Sequence, residues 1–182
     1  MTSKPTPTFY VFHGDDDLSV DEAVAKLRKG MGDGPNADLN ISEFDGALAS
    51  VPEVINAVTS YPFLADKRLV IVRGMLTRKG AGTKAMFDQL AAELPNLPEY
   101  ARLVFVERES LADNHTVVKI AGSADNGYVK AFAVPGDTTA WILKRARSEY
   151  DAEIDQRAAA ALSAVTGTDL RRADNELTKL VS

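Results

Sequence analysis

Apolar residues in this chain recur with two periods, and stretches of one kind alternate with stretches of the other. Thr8-Phe-Tyr-Val-Phe-His13 is a short apolar run closed by Gly14, which predicts a strand. From Leu18 to Met31, the apolar residues Val20, Ala23, Val24, Leu27 and Met31 fall on one face at helical steps. Ser19 and Glu22 have capping-box spacing at the start of that helix, and Asp17 is an equally good cap. Gly-Asp-Gly-Pro-Asn at 32–36 predicts a turn, and Leu39, Ile41 and Phe44 suggest a second strand. Ser50-Val-Pro-Glu53 is another capping-box start, with Pro52 in the first turn, where its missing N–H costs nothing. The helix it opens is predicted to run to Ser60.

Arg68-Leu-Val-Ile-Val-Arg73 and Arg102-Leu-Val-Phe-Val-Glu107 are continuous apolar runs, as expected of strands covered on both faces. Thr83 to Leu94 and Leu111 to Ala121 are predicted helices, and Tyr128 to Val134 an edge strand. Strand and helix alternating in this way predict an α/β fold, a mainly parallel sheet flanked by helices. After Pro135-Gly136 the pattern changes. Thr139 to Tyr150, Gln156 to Val165 and Asp169 to Val181 all predict helices, and Leu170, Ala173, Leu177 and Leu180 share one face of the last. A domain boundary is therefore expected near Pro135, with an α/β domain over 1–136 and a small all-helical domain over 137–182. Leu180-Val-Ser182 ends the chain in or just after a helix, with no Gly or Pro to stop it, as expected of a piece cut from a longer protein.

One corner departs from the pattern. Thr59-Ser-Tyr-Pro-Phe-Leu-Ala-Asp-Lys-Arg-Leu-Val-Ile-Val72 leads from the second predicted helix into a buried strand. Its turn carries Tyr61, Pro62, Phe63 and Leu64, where polar residues and Gly would be expected. Large apolar residues at such a place either plug the core or are offered to a partner. Periodicity leaves both readings open.

Composition narrows the chemistry. The 182 residues are 45% hydrophobic and 26% charged, ordinary for a soluble globular protein. There is no cysteine, so disulfides, thiolate zinc sites and a Cys nucleophile are excluded. His13 and His115 are the two histidines, too few for a His-based metal site. No apolar run approaches the roughly 20 residues that span a bilayer. Met1-Thr-Ser-Lys-Pro5 lacks a signal-peptide core, so a cytoplasmic protein without a membrane partner is expected. A net charge of −5 makes the chain as a whole a poor electrostatic match for nucleic acid.

Gly14-Asp-Asp-Asp-Leu-Ser-Val-Asp21 joins the first strand to the first helix, where a phosphate-binding loop would lie. A Walker loop ends in Gly-Lys-Ser/Thr, but Ser19, Val20 and Asp21 stand at those positions here. The phosphate-neutralising Lys is Val, the magnesium-holding hydroxyl is Asp, and Asp15 to Asp17 add negative charge. The three aspartates could also be read as a magnesium site, but no strand ends in the acceptor Asp that receiver-type chemistry needs, and acids at a helix start are commonly caps. Glu107 has the position of a Walker B acid; with the loop broken, a charged strand end in water is the expected reading. There is no Gly-x-Ser-x-Gly, and His13 is read as structural. Trp141 is read as core or domain-interface packing, and Lys144, Arg145 and Arg147 as a solvated surface. No catalytic residue, cofactor or metal ligand is assigned. Two competing readings are a divergent P-loop nucleotide-binding ATPase, which detectable ATP affinity would reveal, and a nucleic-acid binder using Lys144, Arg145, Arg147, Arg171 and Arg172.

The chain resembles the delta subunit of the bacterial DNA polymerase III clamp loader. Phe9-Tyr-Val-Phe-His-Gly-Asp-Asp-Asp17 is similar to that family's opening strand and acidic loop, and Leu103-Val-Phe-Val-Glu107 to a core strand. Thr59 to Val70 resembles its T-x-P-F-F-x-x-x-R-L-V segment. Trp141-Ile142 and Gly167-Thr-Asp-Leu-Arg-Arg-Ala-Asp-Asn-Glu-Leu-Thr-Lys-Leu180 resemble its helical lid. The resemblance implies an AAA+ fold without ATPase activity, followed by a lid, and cut before the helical collar that builds a pentameric ring. A chain without Cys has no Ser-Arg-Cys finger to supply to a neighbour. The implied partners are the sliding clamp and the other clamp-loader subunits, with DNA contacted only within the assembly. The segment matching Tyr61, Pro62, Phe63 and Leu64 is implied to insert into a hydrophobic pocket of the clamp and help open its ring. Phe63 with Leu64 would be the anchor, Pro62 would stiffen the corner, and Asp66, Lys67 and Arg68 would orient it or form the rim. Clamp-binding peptides commonly lead with Gln, whereas Val58 stands at that position here.

Overall fold

In the computed structural model, residues 5–32, 34 and 36–181 are described; the turn expected at 32–36 includes Asp33 and Pro35, which lie outside them, as does the final Ser182. The first part of the chain forms β1 (Phe9–His13), α1 (Asp17–Lys29), β2 (Ile41–Asp45), α2 (Val51–Thr59), β3 (Arg68–Arg73), α3 (Thr83–Glu93), β4 (Ala101–Glu107), α4 (Thr116–Ser123) and β5 (Gly127–Ala131). The strands make one sheet in the order β2-β3-β4-β1-β5, and every pairing is parallel.

The continuous apolar runs are explained by burial on both faces. Phe9, Val11, Val70, Val72, Leu103 and Phe105 face one core, which α2 completes with Val51, Val54 and Val58, α3 with Leu90, and α4 with Val117 and Ala121. Their alternates, Tyr10, Phe12, Leu69, Ile71, Val104 and Val106, face a second core closed by Val20 and Val24 of α1. β5 is an edge strand, as expected, though it stops at Ala131.

Local signals were accurate where they were strong. Ser50 and Glu53 form a full capping box at α2, with Pro52 in its first turn. The second strand begins later than the pattern suggested: Leu39 belongs to a short 3-10 turn, Asp38–Asn40, and is exposed. The helix expected from Leu111 starts only at Thr116, because His115 is extended and caps the helix by accepting from Val117 N–H; the Leu111 N–H is taken by His13 Nδ1 at 3.0 Å.

The chain divides into two compact units, one running to Asp15 and from Ser19 to Phe132, the other holding Asp16–Leu18 and the residues from Ala133 onward. The second unit contains α5 (Thr138–Tyr150), α6 (Gln156–Thr166) and α7 (Leu170–Val181), with Ile142, Ala146, Ala159, Ala173 and Leu177 as its core. Trp141 packs on that core, half-buried. Arg145 is not part of an open basic surface. Its guanidinium holds Asp174 through Nε at 2.8 Å and Nη2 at 3.2 Å, and both side chains are largely buried.

Candidate functional site

The corner between α2 and β3 forms because Pro62 disfavours helical backbone at the residue before it. Ser60 is already extended, and its N–H makes the last helical bond, to Asn56 O. Thr59 and Ser60 turn their hydroxyls back onto the carbonyls of Ile55 and Asn56. Tyr100 donates its hydroxyl to Thr59 O at 2.7 Å, and its ring lies 5.2 Å from that of Tyr61.

Past Pro62 the main chain is held by one side chain. Asn40, fully buried, accepts from Phe63 N–H at 2.6 Å and donates to Phe63 O at 2.9 Å. Its second amide hydrogen goes to Asn36 O, also at 2.9 Å. Leu64 then takes a left-handed backbone, φ +49°, a conformation that L-residues with a side chain seldom adopt. Lys67 donates to Gly30 O, and Arg68 donates to Ala57 O, Leu39 O and Ser42 Oγ as the chain enters β3. Lys67 and Arg68 therefore orient the loop, and Asp66 is exposed.

With the main chain tied inward, the side chains stand outward. Tyr61 is 84% exposed, Phe63 58% and Leu64 75%, while Pro62 is half-buried. Of the two readings open to the sequence, plugging the core and facing out, the structure has these side chains facing out. Val58, at the position where a clamp-binding peptide would carry Gln, lies on the inner face of α2, fully buried. Asn40 and Tyr100 were missed from sequence. Neither sits in a local motif, and each meets the corner from a distant part of the chain, 23 and 41 residues away.

The corner between β1 and α1 is built differently from a phosphate cradle. Only Gly14, Asp15 and Asp16 separate the strand from the helix. Gly14 has φ +134°, and a Cβ there would lie 1.9 Å from Phe132 O. Its lack of a side chain is required by the crossing of β5's continuation. Asp16 is buried and Asp15 exposed. Among the described residues, no group of three or more His, Cys, Asp or Glu is placed to hold a metal ion.

Glu107, expected in water, is instead fully buried. Its carboxylate accepts from Leu76 N–H at 2.8 Å and Thr77 Oγ1 at 2.7 Å, fastening the segment after β3 to the end of β4. Burial pushes its pKa up, and the hydrogen bonds from Leu76 and Thr77 partly oppose that. His13 and His115 are both held below the usual imidazole value by burial, and both use Nδ1 as an acceptor. The polar residues at this end of the sheet thus serve as structural fasteners.

Residues 10–129, more than half of the chain, match the family model described as DNA polymerase III, delta subunit. No curated protein sequence matches the chain. Among solved structures, the DNA clamp loader delta protein (YqeN) of Bacillus subtilis superposes with a TM-score of 0.78 at 21% identity, over 97% of this chain and 53% of its own. A DNA polymerase III gamma subunit-related protein of Thermotoga maritima gives 0.52 at 16% identity, over 81% of this chain and 48% of its own. RuvB of Thermotoga maritima gives 0.53 at 13% identity, over 94% and 53%. The chain spans about half the length of these structures. The shared architecture is the parallel RecA-like core with flanking helices and a following helical region, the AAA+ arrangement. Among the described residues, no helix is long and apolar enough to cross a membrane.

Proposed function

This chain belongs to the DNA polymerase III delta subunit family, and from that premise we propose that it is a non-catalytic clamp-loader subunit that binds the sliding clamp of its own organism through Tyr61, Pro62, Phe63 and Leu64 and helps to open the ring. The observation that carries the reading is the outward display of Tyr61, Phe63 and Leu64 on a main chain fixed from behind. A soluble protein gains nothing by ordering exposed apolar side chains unless a partner buries them. Order before docking also reduces the entropy lost on binding.

In this reading Phe63 and Leu64 fill an apolar pocket on the clamp, while Pro62 limits the motion of the corner. The three-residue Gly14–Asp16 connection, with its carboxylates, supports a subunit that neither binds nor hydrolyses ATP. The domain assignment that goes with it is an AAA+-like domain over 1–136 and a lid over 137–182. Other clamp-loader subunits are its further partners, and DNA is met only within the assembly.

Calorimetric titration into the clamp tests the assignment, with Phe63→Ala beside the parent. Loss of one buried aromatic anchor typically costs on the order of 2 kcal/mol, roughly a 30-fold weaker complex. A well-folded parent that gives no heat with the clamp would overturn it.

A further inference from the structure

We propose that Asn40 is the positioning residue of the partner-binding corner, holding the main chain of Phe63 so that the Phe63 and Leu64 side chains are presented ready to dock. The inference rests on the clamp-binding reading for its consequence, but its geometry stands by itself.

Three features single Asn40 out. It bonds both main-chain groups of one residue, taking Phe63 N–H at 2.6 Å and giving to Phe63 O at 2.9 Å. A side-chain amide bridging N–H and C=O of the same residue imitates the paired contact of a neighbouring strand, and it fixes both position and orientation of that peptide. Asn40 is itself immobilised. It is fully buried, its remaining amide hydrogen is bonded to Asn36 O, and its own N–H reaches Ala37 O at 3.0 Å. It also ends the 3-10 turn that leads directly into β2, so the clamp on Phe63 is built into the sheet.

The third feature is the backbone it restrains. Leu64 follows with φ +49°, unfavourable for a residue with a side chain, and such conformations persist where the surroundings over-determine them. Thr59 is fixed by Tyr100 on one side and Arg68 by three acceptors on the other. Between them, Asn40 makes the hydrogen bonds to Phe63, the residue that matters most for docking. Only a carboxamide meets the requirement. Gln would be one methylene too long. A carboxylate can accept from Phe63 N–H, but it would face the carbonyls of Phe63 and Asn36 with no hydrogen to give.

That last point supplies a test with a signature of its own. In Asn40→Asp the ionised side chain repels two carbonyls, whereas the protonated acid has one donor and one acceptor and can remake the clamp on Phe63. Burial among acceptors raises the pKa of such a carboxyl, so the neutral form is reached as pH falls. We would measure backbone hydrogen exchange at Phe63 and Leu64, and affinity for the sliding clamp, in the parent, Asn40→Ala and Asn40→Asp. Each would be run at about pH 8 and about pH 5.5, with the parent as reference at each pH.

Exchange at Phe63 at least about tenfold faster in Asn40→Ala, with α2 and β3 still protected, is the expected result. In Asn40→Asp the carboxylate can still accept from Phe63 N–H, and the loss of the bond to Phe63 O is read in affinity for the sliding clamp at the higher pH. Clamp affinity should fall about tenfold alongside it. At the lower pH, Asn40→Asp should recover toward the parent while Asn40→Ala does not. Unchanged exchange at Phe63 in Asn40→Ala would overturn the restraint. Faster exchange with parental clamp affinity would overturn the role in docking. If Asn40→Ala fails to fold, the pH-dependent recovery of Asn40→Asp decides, and its absence counts against the proposal. A parent that does not bind the clamp at all removes the functional reading and the docking role with it, while exchange still judges the restraint on Phe63.

Discussion

Glu107 is an acid at the end of an apolar strand, fully out of water, with its two oxygens spent on Leu76 N–H and Thr77 Oγ1. Burial raises its folded pKa above the ordinary value of 4.5, so the folded protein keeps the proton over a pH range in which the unfolded chain has released it. Stability contributed by this group therefore falls as pH rises from about 4.5 through the folded pKa, and is flat beyond it. His13 and His115 act with the opposite sign. Their folded pKa values lie below 6.5, so stability is lost as pH falls from 6.5 toward the folded values. Replacing Glu107 by Gln keeps an acceptor for Leu76 N–H and a group to pair with Thr77 while removing the titration. Thermal unfolding across pH should show Glu107→Gln at least as stable as the parent near pH 8, with the loss that sets in as pH rises above about 4.5 removed. Glu107→Ala, which orphans a buried N–H and leaves a cavity, should cost about 2–4 kcal/mol near pH 4.5 and less as pH rises, because only the parent carries the titration. Identical pH profiles for Glu107→Gln and the parent would contradict this account.

At the scale of elements, what could be read from sequence followed from how many faces each element buries. β3 and β4 pack on both sides, so their runs are continuous and their positions were evident within a residue. α2 carried its own start in Ser50, Pro52 and Glu53, because a cap is a contact between near neighbours. The start of α4 was illegible, since its cap is His115, held extended and accepting from Val117 N–H, which is not one of the usual capping residue types. The broken phosphate loop was legible as chemistry, yet the reason for its surviving glycine was not. Gly14 answers to Phe132, whose carbonyl lies where a Cβ would go. Gly14→Ala combines an unfavourable φ with a backbone clash that no rotamer can relieve. It should destabilise by about 3 kcal/mol or more, read by denaturant unfolding. A loss below about 1 kcal/mol would mean that β5's continuation can move aside.

Across the whole molecule, the chain forms two compact units, each with its own core. In the helical unit, Asp174 gathers Arg145 and the Tyr150 hydroxyl, the latter at 2.8 Å, in a largely buried cluster. Asp174→Ala removes the carboxylate that pairs with the largely buried Arg145 guanidinium and should destabilise this unit by about 2 kcal/mol. Clamp affinity should stay within about twofold of the parent, because the proposed anchor lies in the other unit. A parallel loss of clamp binding would move part of the docking function into the helical region. The amino-acid sequence by itself determined the α/β class, the shift to helices after Pro135 and the departure of Gly14–Asp21 from a Walker pattern, because periodicity, local composition and motif spacing are properties of near neighbours. Only the tertiary structure decided that Tyr61, Phe63 and Leu64 face outward and that Glu107 faces in. Those outcomes depend on Asn40, Tyr100, Leu76 and Thr77, residues brought to their partners by the parallel sheet and its crossovers, and no local pattern records a hydrogen bond closed across 23 to 41 residues.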